Sequence, residues 1–130
     1  MTSLSIPFLA APVPAGFPSP ANDHIEREIN LNAELIDHPA ATFFVRVEGH
    51  SMTGAGIHNG DILIVDKALD AVSGKIVIAV VDGEFTVKKL ILEQGRRILR
   101  AEAEGISDLV ILPGQQFEVW GVVTYVIHKC

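Results

Sequence analysis

The sequence predicts a mainly β protein, a small and partly closed antiparallel β-fold with an extended N-terminal arm. Residues 40–130 contain six short stretches that are rich in β-branched and aromatic residues and separated by Gly, Asn and Asp. No helical pattern of ten or more residues separates these stretches, so antiparallel pairing is favoured over parallel pairing. Residues 1–21 differ in composition, because they contain five of the seven prolines.

The proline-rich segment predicts the extended arm. Proline fixes φ, lacks an N–H group and biases the preceding residue toward extended conformations. The segment is therefore expected to be extended, either as a flexible terminal tail or as a peptide of the shape that a protease cleft accepts. Residues 1–39 are assigned to this arm and residues 40–130 to the β-domain.

A short amphipathic helix is predicted at the end of the arm. Asn22 or Asp23 would cap it, its apolar positions would fall within residues 25–31, and the turn at His38 and Pro39 would end it.

The six stretches of the β-domain are predicted strands, and three turn signals lie between them. Residues 76–81 are apolar throughout, which indicates a central strand buried on both faces. The triplets at residues 59–61, 82–84 and 93–95 have the composition of turns that join antiparallel strands. The predicted strands are residues 42–47, 61–66, 75–81, 85–92, 97–101 and 117–128.

Composition excludes several classes of function. The 130 residues and 48% hydrophobic content predict one domain with a substantial core. The net charge of −6, without any run of Lys or Arg, argues against direct binding of nucleic acid. No apolar run approaches the roughly 20 residues of a membrane span, and the N terminus lacks the basic residues of a secretory signal. The single Cys130 fits a reducing cytoplasm.

Ser51, within Gly49-His50-Ser51-Met52, is the candidate nucleophile. A serine hydroxyl attacks a carbonyl efficiently only when a neighbouring base takes its proton, and that base is a histidine or a neutral lysine. None of the five histidines accompanies a G-x-S-x-G motif, and their spacing offers no metal site. We therefore expect no metal and no cofactor, and treat the histidines as surface or turn residues.

Lys88 and Lys89 are the candidate bases on a predicted strand. A lysine with the usual pKa of about 10.4 is almost entirely protonated near neutral pH, so it acts as a base only if burial lowers that pKa. Strand alternation places Lys88 with Thr86 and Leu90, and Lys89 with Val87, and selects neither lysine. Both could equally be a solvated strand edge.

Together, these residues resemble the LexA/UmuD family of Ser/Lys self-cleaving proteins, and the UmuD branch above all. The resemblance is carried by residues 49–52, 56–66 and 81–90, and by residues 16–21 and 29–32 in the arm. It implies that Ser51 is the nucleophile and that Lys88 is the general base and acid. It also implies an oxyanion site formed by the backbone N–H groups of His50 and Ser51, and self-cleavage between Ala15 and Gly16.

The same resemblance implies a biological role. It indicates a homodimer whose cleavage is stimulated by a RecA filament during the SOS response to DNA damage. The truncated product would be an accessory subunit of a Y-family translesion polymerase, a UmuC-like protein. The 39-residue arm is too short and too rich in proline for the helix-turn-helix domain of a repressor.

Two alternative functions are also compatible with these residues. One is a non-enzymatic dimeric binding module of the same fold. The other is a signal-peptidase-like enzyme, which shares Ser/Lys chemistry but should carry a membrane anchor.

Overall fold

The computed structural model describes residues 4–21 and 23–130. Within them the prediction of a mainly β protein is confirmed, because nine strands form two antiparallel sheets. The chain divides into two compact units, Met1–Asp37 and His38–Cys130. No helix in the described part of the chain is long and apolar enough to cross a membrane. The assignment of residues 1–39 as a cleavable arm and 40–130 as a peptidase domain stays a prediction.

The first unit contains a two-stranded antiparallel sheet and one short helix. Strand β1, Ile6–Leu9, pairs with strand β2, Ile25–Ile29. Helix α1, Leu31–Leu35, follows directly. The side chain of Asn30 caps α1 by accepting hydrogen bonds from the backbone N–H groups of the second and third residues after the cap, at 3.0 and 3.4 Å.

The predicted start of the helix is wrong, because residues 25–29 form β2, and of the predicted apolar positions only Leu31 lies in a helix, α1. Ile25 and Ile29 share a face in a strand as well as in a helix, and pairing with β1 selects the strand. The Arg27 guanidinium lies 5.7 Å from the centre of the Phe8 ring across this pair. Asp23 does not begin a helix, and Asn22, the other predicted cap, lies outside the described residues.

The second unit is a seven-stranded sheet in the order β3-β4-β9-β5-β6-β7-β8, with every neighbouring pair antiparallel. All six predicted strands are confirmed to within one residue at each end, and the apolar strand β5 lies in the centre of the sheet as predicted. Among the strands of the second unit, only the two-residue β8 was not predicted. The seven strands are β3 Thr42–Arg46, β4 Ile62–Asp66, β5 Ile76–Val81, β6 Glu84–Glu93, β7 Arg96–Arg100, β8 Leu109–Val110 and β9 Phe117–Ile127.

Two predicted turn signals close the hairpins β5–β6 and β6–β7. Asp82 and Gly83 have φ values of 49° and 83°, and Gln94 and Gly95 have values of 51° and 75°. Positive φ at both central residues is required by type I′ turns, whose twist matches that of the strands they join. The third signal precedes β4, where Gly60 has a φ of 89°. Short 3₁₀ turns also occur at Pro39–Ala41 and Thr53–Ala55.

The buried side chains form two hydrophobic clusters in the second unit. Neighbouring residues of β5 contribute to different clusters, because successive side chains of a strand point to opposite faces. Met52 and Ile57, which flank the short 3₁₀ turn after Ser51, belong to the first cluster and are 2% and 1% exposed. Burial of these two residues fixes the serine-bearing segment to the sheet.

Strand β9 joins the two halves of the sheet and is irregular at two points. Its register shifts opposite residues 64 and 65 of β4 and opposite residues 78 and 79 of β5, so it bends as it crosses the core. Gly121 lies between these irregularities. An added Cβ at Gly121 would lie 2.5 Å from Cγ1 of Val65, so a close approach of β9 to β4 requires glycine here.

We expect Gly121→Ala to destabilise the protein by about 1–3 kcal/mol through overpacking. Thermal and urea unfolding of the two proteins measure this difference. The double variant Gly121→Ala/Val65→Ala removes the clashing methyl and should be more stable than the sum of the two single changes predicts. Strict additivity would show that contact with Val65 does not explain the need for glycine.

Candidate active site

Ser51 lies on a tightly folded segment, residues 49–61, that connects β3 to β4. Gly49 begins this segment with a φ of 103°, a conformation that favours glycine, and its N–H donates to Oδ1 of Asn59 at 2.8 Å. The backbone N–H groups of Ala55 and Ile57 both donate to the carbonyl of Met52, at 3.0 and 3.2 Å. These bonds fold the segment back on itself and present Ser51 at its start.

Asp61 holds the far end of the same segment. It is 3% exposed, its carboxylate accepts the backbone N–H of His58 at 2.8 Å, and its Oδ1 lies 2.6 Å from Nδ1 of His128 on the C-terminal side of β9. The hydrogen bond from His128, assisted by that from the His58 backbone, holds the pKa of the Asp61 carboxyl below its usual value. The sequence predicts these histidines only as surface or turn residues, and no motif in it indicates the contact between His128 and Asp61.

Lys88 on β6 is the side chain that meets the serine. Its Nζ donates to Ser51 Oγ at 2.9 Å and to the carbonyl of Val87 at 3.2 Å. Burial lowers the pKa of Lys88 from its usual value, because desolvation disfavours the charged ammonium more than the neutral amine. Lys88 is therefore within hydrogen-bond distance of the Ser51 hydroxyl, and its lowered pKa shifts it toward the neutral amine that a general base must be.

Lys89 points elsewhere. Its Nζ lies 2.9 Å from Oε1 of Glu102, in an ion pair whose side chains are 33% and 27% exposed. Strand alternation selected neither lysine, whereas the structure brings only Lys88 of these two to the serine hydroxyl. Glu102 lies two residues after β7 and belongs to no sequence motif, so its contact with Lys89 could not be predicted from the sequence.

The serine and the lysine lie in a cleft of about 510 Å³. Its walls come from the end of β3 and the serine-bearing segment, the middle of β5, the first half of β6 and one residue of β9, and they are mainly apolar, with Phe85 and Trp120 contributing aromatic rings. Among the strands that the structure describes, β3 lies first in the sheet order and pairs only with β4, so its outer edge offers backbone groups to an extended peptide.

The other predicted site residues lie as follows. The His50 side chain is exposed. Within residues 4–21 and 23–130, no protein acceptor takes the backbone N–H of His50 or of Ser51, which leaves both donors available for an oxyanion. Ala15 and Gly16 belong to the first unit, lie between β1 and β2, and are exposed.

Comparison with known proteins shows which family model and which relatives the sequence of this chain matches. A family model described as peptidase S24-like matches residues 7–124. The protein ImpA of Salmonella typhimurium is 48% identical over 126 residues, which cover 95% of this chain and 83% of ImpA. The protein MucA of Escherichia coli is 41% identical over 121 residues, covering 93% and 83% of the two chains. The LexA repressor of Cupriavidus taiwanensis is 36% identical over 126 residues, covering 97% of this chain and 57% of the repressor.

The Asp61 contacts predict a specific dependence of stability on pH. Because the folded-state pKa of Asp61 lies below its usual value near 3.8, its ionised form stabilises the folded state above that pH, and this contribution is lost as the pH falls through the folded-state pKa. Asp61→Asn should therefore be less stable than the unmodified protein at pH 7, and the difference should shrink below about pH 4.

Urea unfolding at a series of pH values measures this difference. Asp70→Asn is the matched control, since Asp70 is exposed and the charge change is the same. A stability difference between Asp61→Asn and the unmodified protein that stays constant into the acid range would contradict the assignment.

Proposed function

The chain belongs to the S24-like peptidase family, the family of LexA and UmuD, and we propose that it is a serine endopeptidase whose principal substrate is its own arm. In this proposal Ser51 is the nucleophile, Lys88 is the general base and acid, and the bond that is cut joins Ala15 to Gly16. The observation that carries the proposal is the 2.9 Å contact between Ser51 Oγ and Lys88 Nζ in an apolar cleft.

Proton transfer begins the reaction. In the active protonation state Lys88 is a neutral amine, and the hydroxyl of Ser51 donates its hydrogen bond to Nζ. Lys88 takes the hydroxyl proton as Oγ attacks the carbonyl carbon of Ala15. The lysine then gives this proton to the departing nitrogen of Gly16, which leaves Ala15 as an ester of Ser51. Lys88, neutral again, takes a proton from water, and the resulting attack hydrolyses the ester and regenerates Ser51.

The oxyanion that forms on the Ala15 carbonyl needs fixed hydrogen-bond donors. The backbone N–H groups of His50 and Ser51 are the donors that we propose. Their support is that they lie on the rigid segment that presents the nucleophile and are not taken by other described protein groups. Amides held in place by the fold stabilise developing negative charge without having to reorient during the reaction.

The chemistry of the arm suits this cleft. Alanine before the bond and glycine after it are small, so the peptide backbone can approach Ser51 closely. Gly16 has open space around it, since an added Cβ would meet no other atom within 4 Å. The neighbouring prolines favour the extended shape that a peptide adopts when it adds to a strand edge. Cleavage would separate residues 1–15 from residues 16–130.

Family membership supports a wider proposal about the role of this cleavage. We propose that the protein is a cytoplasmic homodimer of the UmuD type, that a RecA filament stimulates its self-cleavage in the SOS response, and that the truncated form assists a UmuC-like Y-family polymerase in translesion synthesis. The net charge of −6 favours action through protein partners over direct contact with nucleic acid.

We expect intact-mass measurement to show loss of residues 1–15 from the purified protein, and we expect Ser51→Ala and Lys88→Ala to reduce the rate by several orders of magnitude. The rate should rise with pH and level off once Lys88 is neutral, because only the neutral amine accepts the serine proton. Burial places that transition below the usual lysine pKa of 10.5.

Lys129→Ala is the matched control, because Lys129 is exposed near the end of the chain, and it should cleave at the unmodified rate. Cleavage that persists in Ser51→Ala would refute the nucleophile, and cleavage that persists in Lys88→Ala would refute the base. A chain that stays intact at all pH values and with RecA filaments on single-stranded DNA would instead favour the non-enzymatic binding module.

A further inference from the structure

Glu102 attaches the main chain of the serine-bearing segment to the rest of the second unit. Its backbone N–H donates to the carbonyl of Ser51 at 2.9 Å, and its own carbonyl accepts the N–H of Gly54 at 2.6 Å. The second approach is so close that a Cβ added at Gly54 would lie 2.6 Å from the Glu102 carbonyl oxygen. Glu102 thus contacts the segment at two points, at Ser51 before the 3₁₀ turn and at Gly54 within it, and the second of them requires glycine.

The side chain of Glu102 is held in turn by Lys89. The ion pair is 2.9 Å long and both side chains are partly shielded from solvent. A shielded pair is weakened less by water and salt than one on an open surface, so it restricts the geometry of its partners more effectively. Strand β6 is therefore linked to Glu102 by the Lys89 side chain. Through the backbone of Glu102 it is also linked to the carbonyl of Ser51.

These contacts form a closed ring around the nucleophile. Lys88 contacts the side chain of Ser51, while the next residue, Lys89, is linked through Glu102 to the main chain of Ser51. A single hydrogen bond between a lysine and a serine would allow the serine segment to shift and still keep the contact. The second attachment fixes where Oγ lies relative to the lysine amine.

We propose that the Lys89–Glu102 ion pair positions Ser51 for proton transfer to Lys88. Lys89 and Glu102 are positioning residues, since they act through the backbone contacts of Glu102 and contact no reacting atom. This inference rests on the proposed peptidase function. Small displacements of a nucleophile have large effects on rate, and a shift of about 1 Å costs on the order of 100-fold.

The test measures self-cleavage of the full chain by intact mass at several pH values. Lys89→Met and Glu102→Gln should each lower the plateau rate by about 10-fold or more and leave the midpoint of the pH profile in place, because they displace Ser51 without changing the base. The double variant should be no slower than the slower single variant. The exchange Lys89→Glu/Glu102→Lys restores the ion pair with its charges reversed and should recover part of the rate.

Asp108→Asn is the matched control. It removes the carboxylate of the exposed Arg100–Asp108 pair in the same connection after β7, and it should cleave at the unmodified rate. Gly54→Ala independently tests the hydrogen bond between the Gly54 N–H group and the Glu102 carbonyl. It retains the ion pair but forces the Glu102 carbonyl away, and it should also slow cleavage.

A purely structural role makes different predictions. If the ion pair only stabilises the fold, the rate loss should follow a fall in melting temperature and disappear well below that temperature, and this outcome would overturn the inference. Unmodified rates in both single variants would also overturn it, while Ser51-dependent cleavage in the unmodified chain would leave the peptidase function standing. Absence of Ser51-dependent cleavage in the unmodified chain would refute both.

Discussion

The partial burial of the Lys88 ammonium group beside the Ser51 hydroxyl is the constraint on which the rest of this structure depends. Water stabilises the charged form of a lysine, so a lysine can be a base near neutral pH only where water is partly excluded. Lys88 has such a site because β6 runs beside the central strand β5, with Lys88 opposite the fully buried Val77. Ser51 completes the site by accepting the hydrogen bond that the ammonium would otherwise make to water.

Partial exclusion of water requires rigid walls on both sides of the pair. Strands β5 and β6 provide one wall through a hairpin closed by a tight turn, and the segment before β4 provides the other. That segment lacks regular secondary structure beyond one 3₁₀ turn, so it is fixed by buried side chains and by hydrogen bonds to Asn59, Asp61 and Glu102. The site thus combines a strand, where backbone geometry is regular, with a segment that depends on individual contacts.

The same distinction explains how much could be predicted from the sequence. Strands of the second unit could be predicted, because alternation and turn residues are local signals that the sheet then reinforces. The predicted start of the helix failed because the spacing of Ile25 and Ile29 fits a strand as well as a helix, and pairing with β1, a contact distant in sequence, decides between them. Ser51 and Lys88 could be selected as candidates from the family resemblance. Residue patterns alone could not choose between Lys88 and Lys89, because the deciding contact is the ion pair between Lys89 and Glu102.

On the proposed function, a substrate on the same chain suits a lysine base of this kind. Lys88 is only partly buried, and this burial lowers its pKa from the usual value. A tethered arm would supply its peptide bond at a high effective concentration, and this advantage would compensate for a base whose desolvation is incomplete. A partner that seats the arm or excludes more water from Lys88 would then control when cleavage occurs.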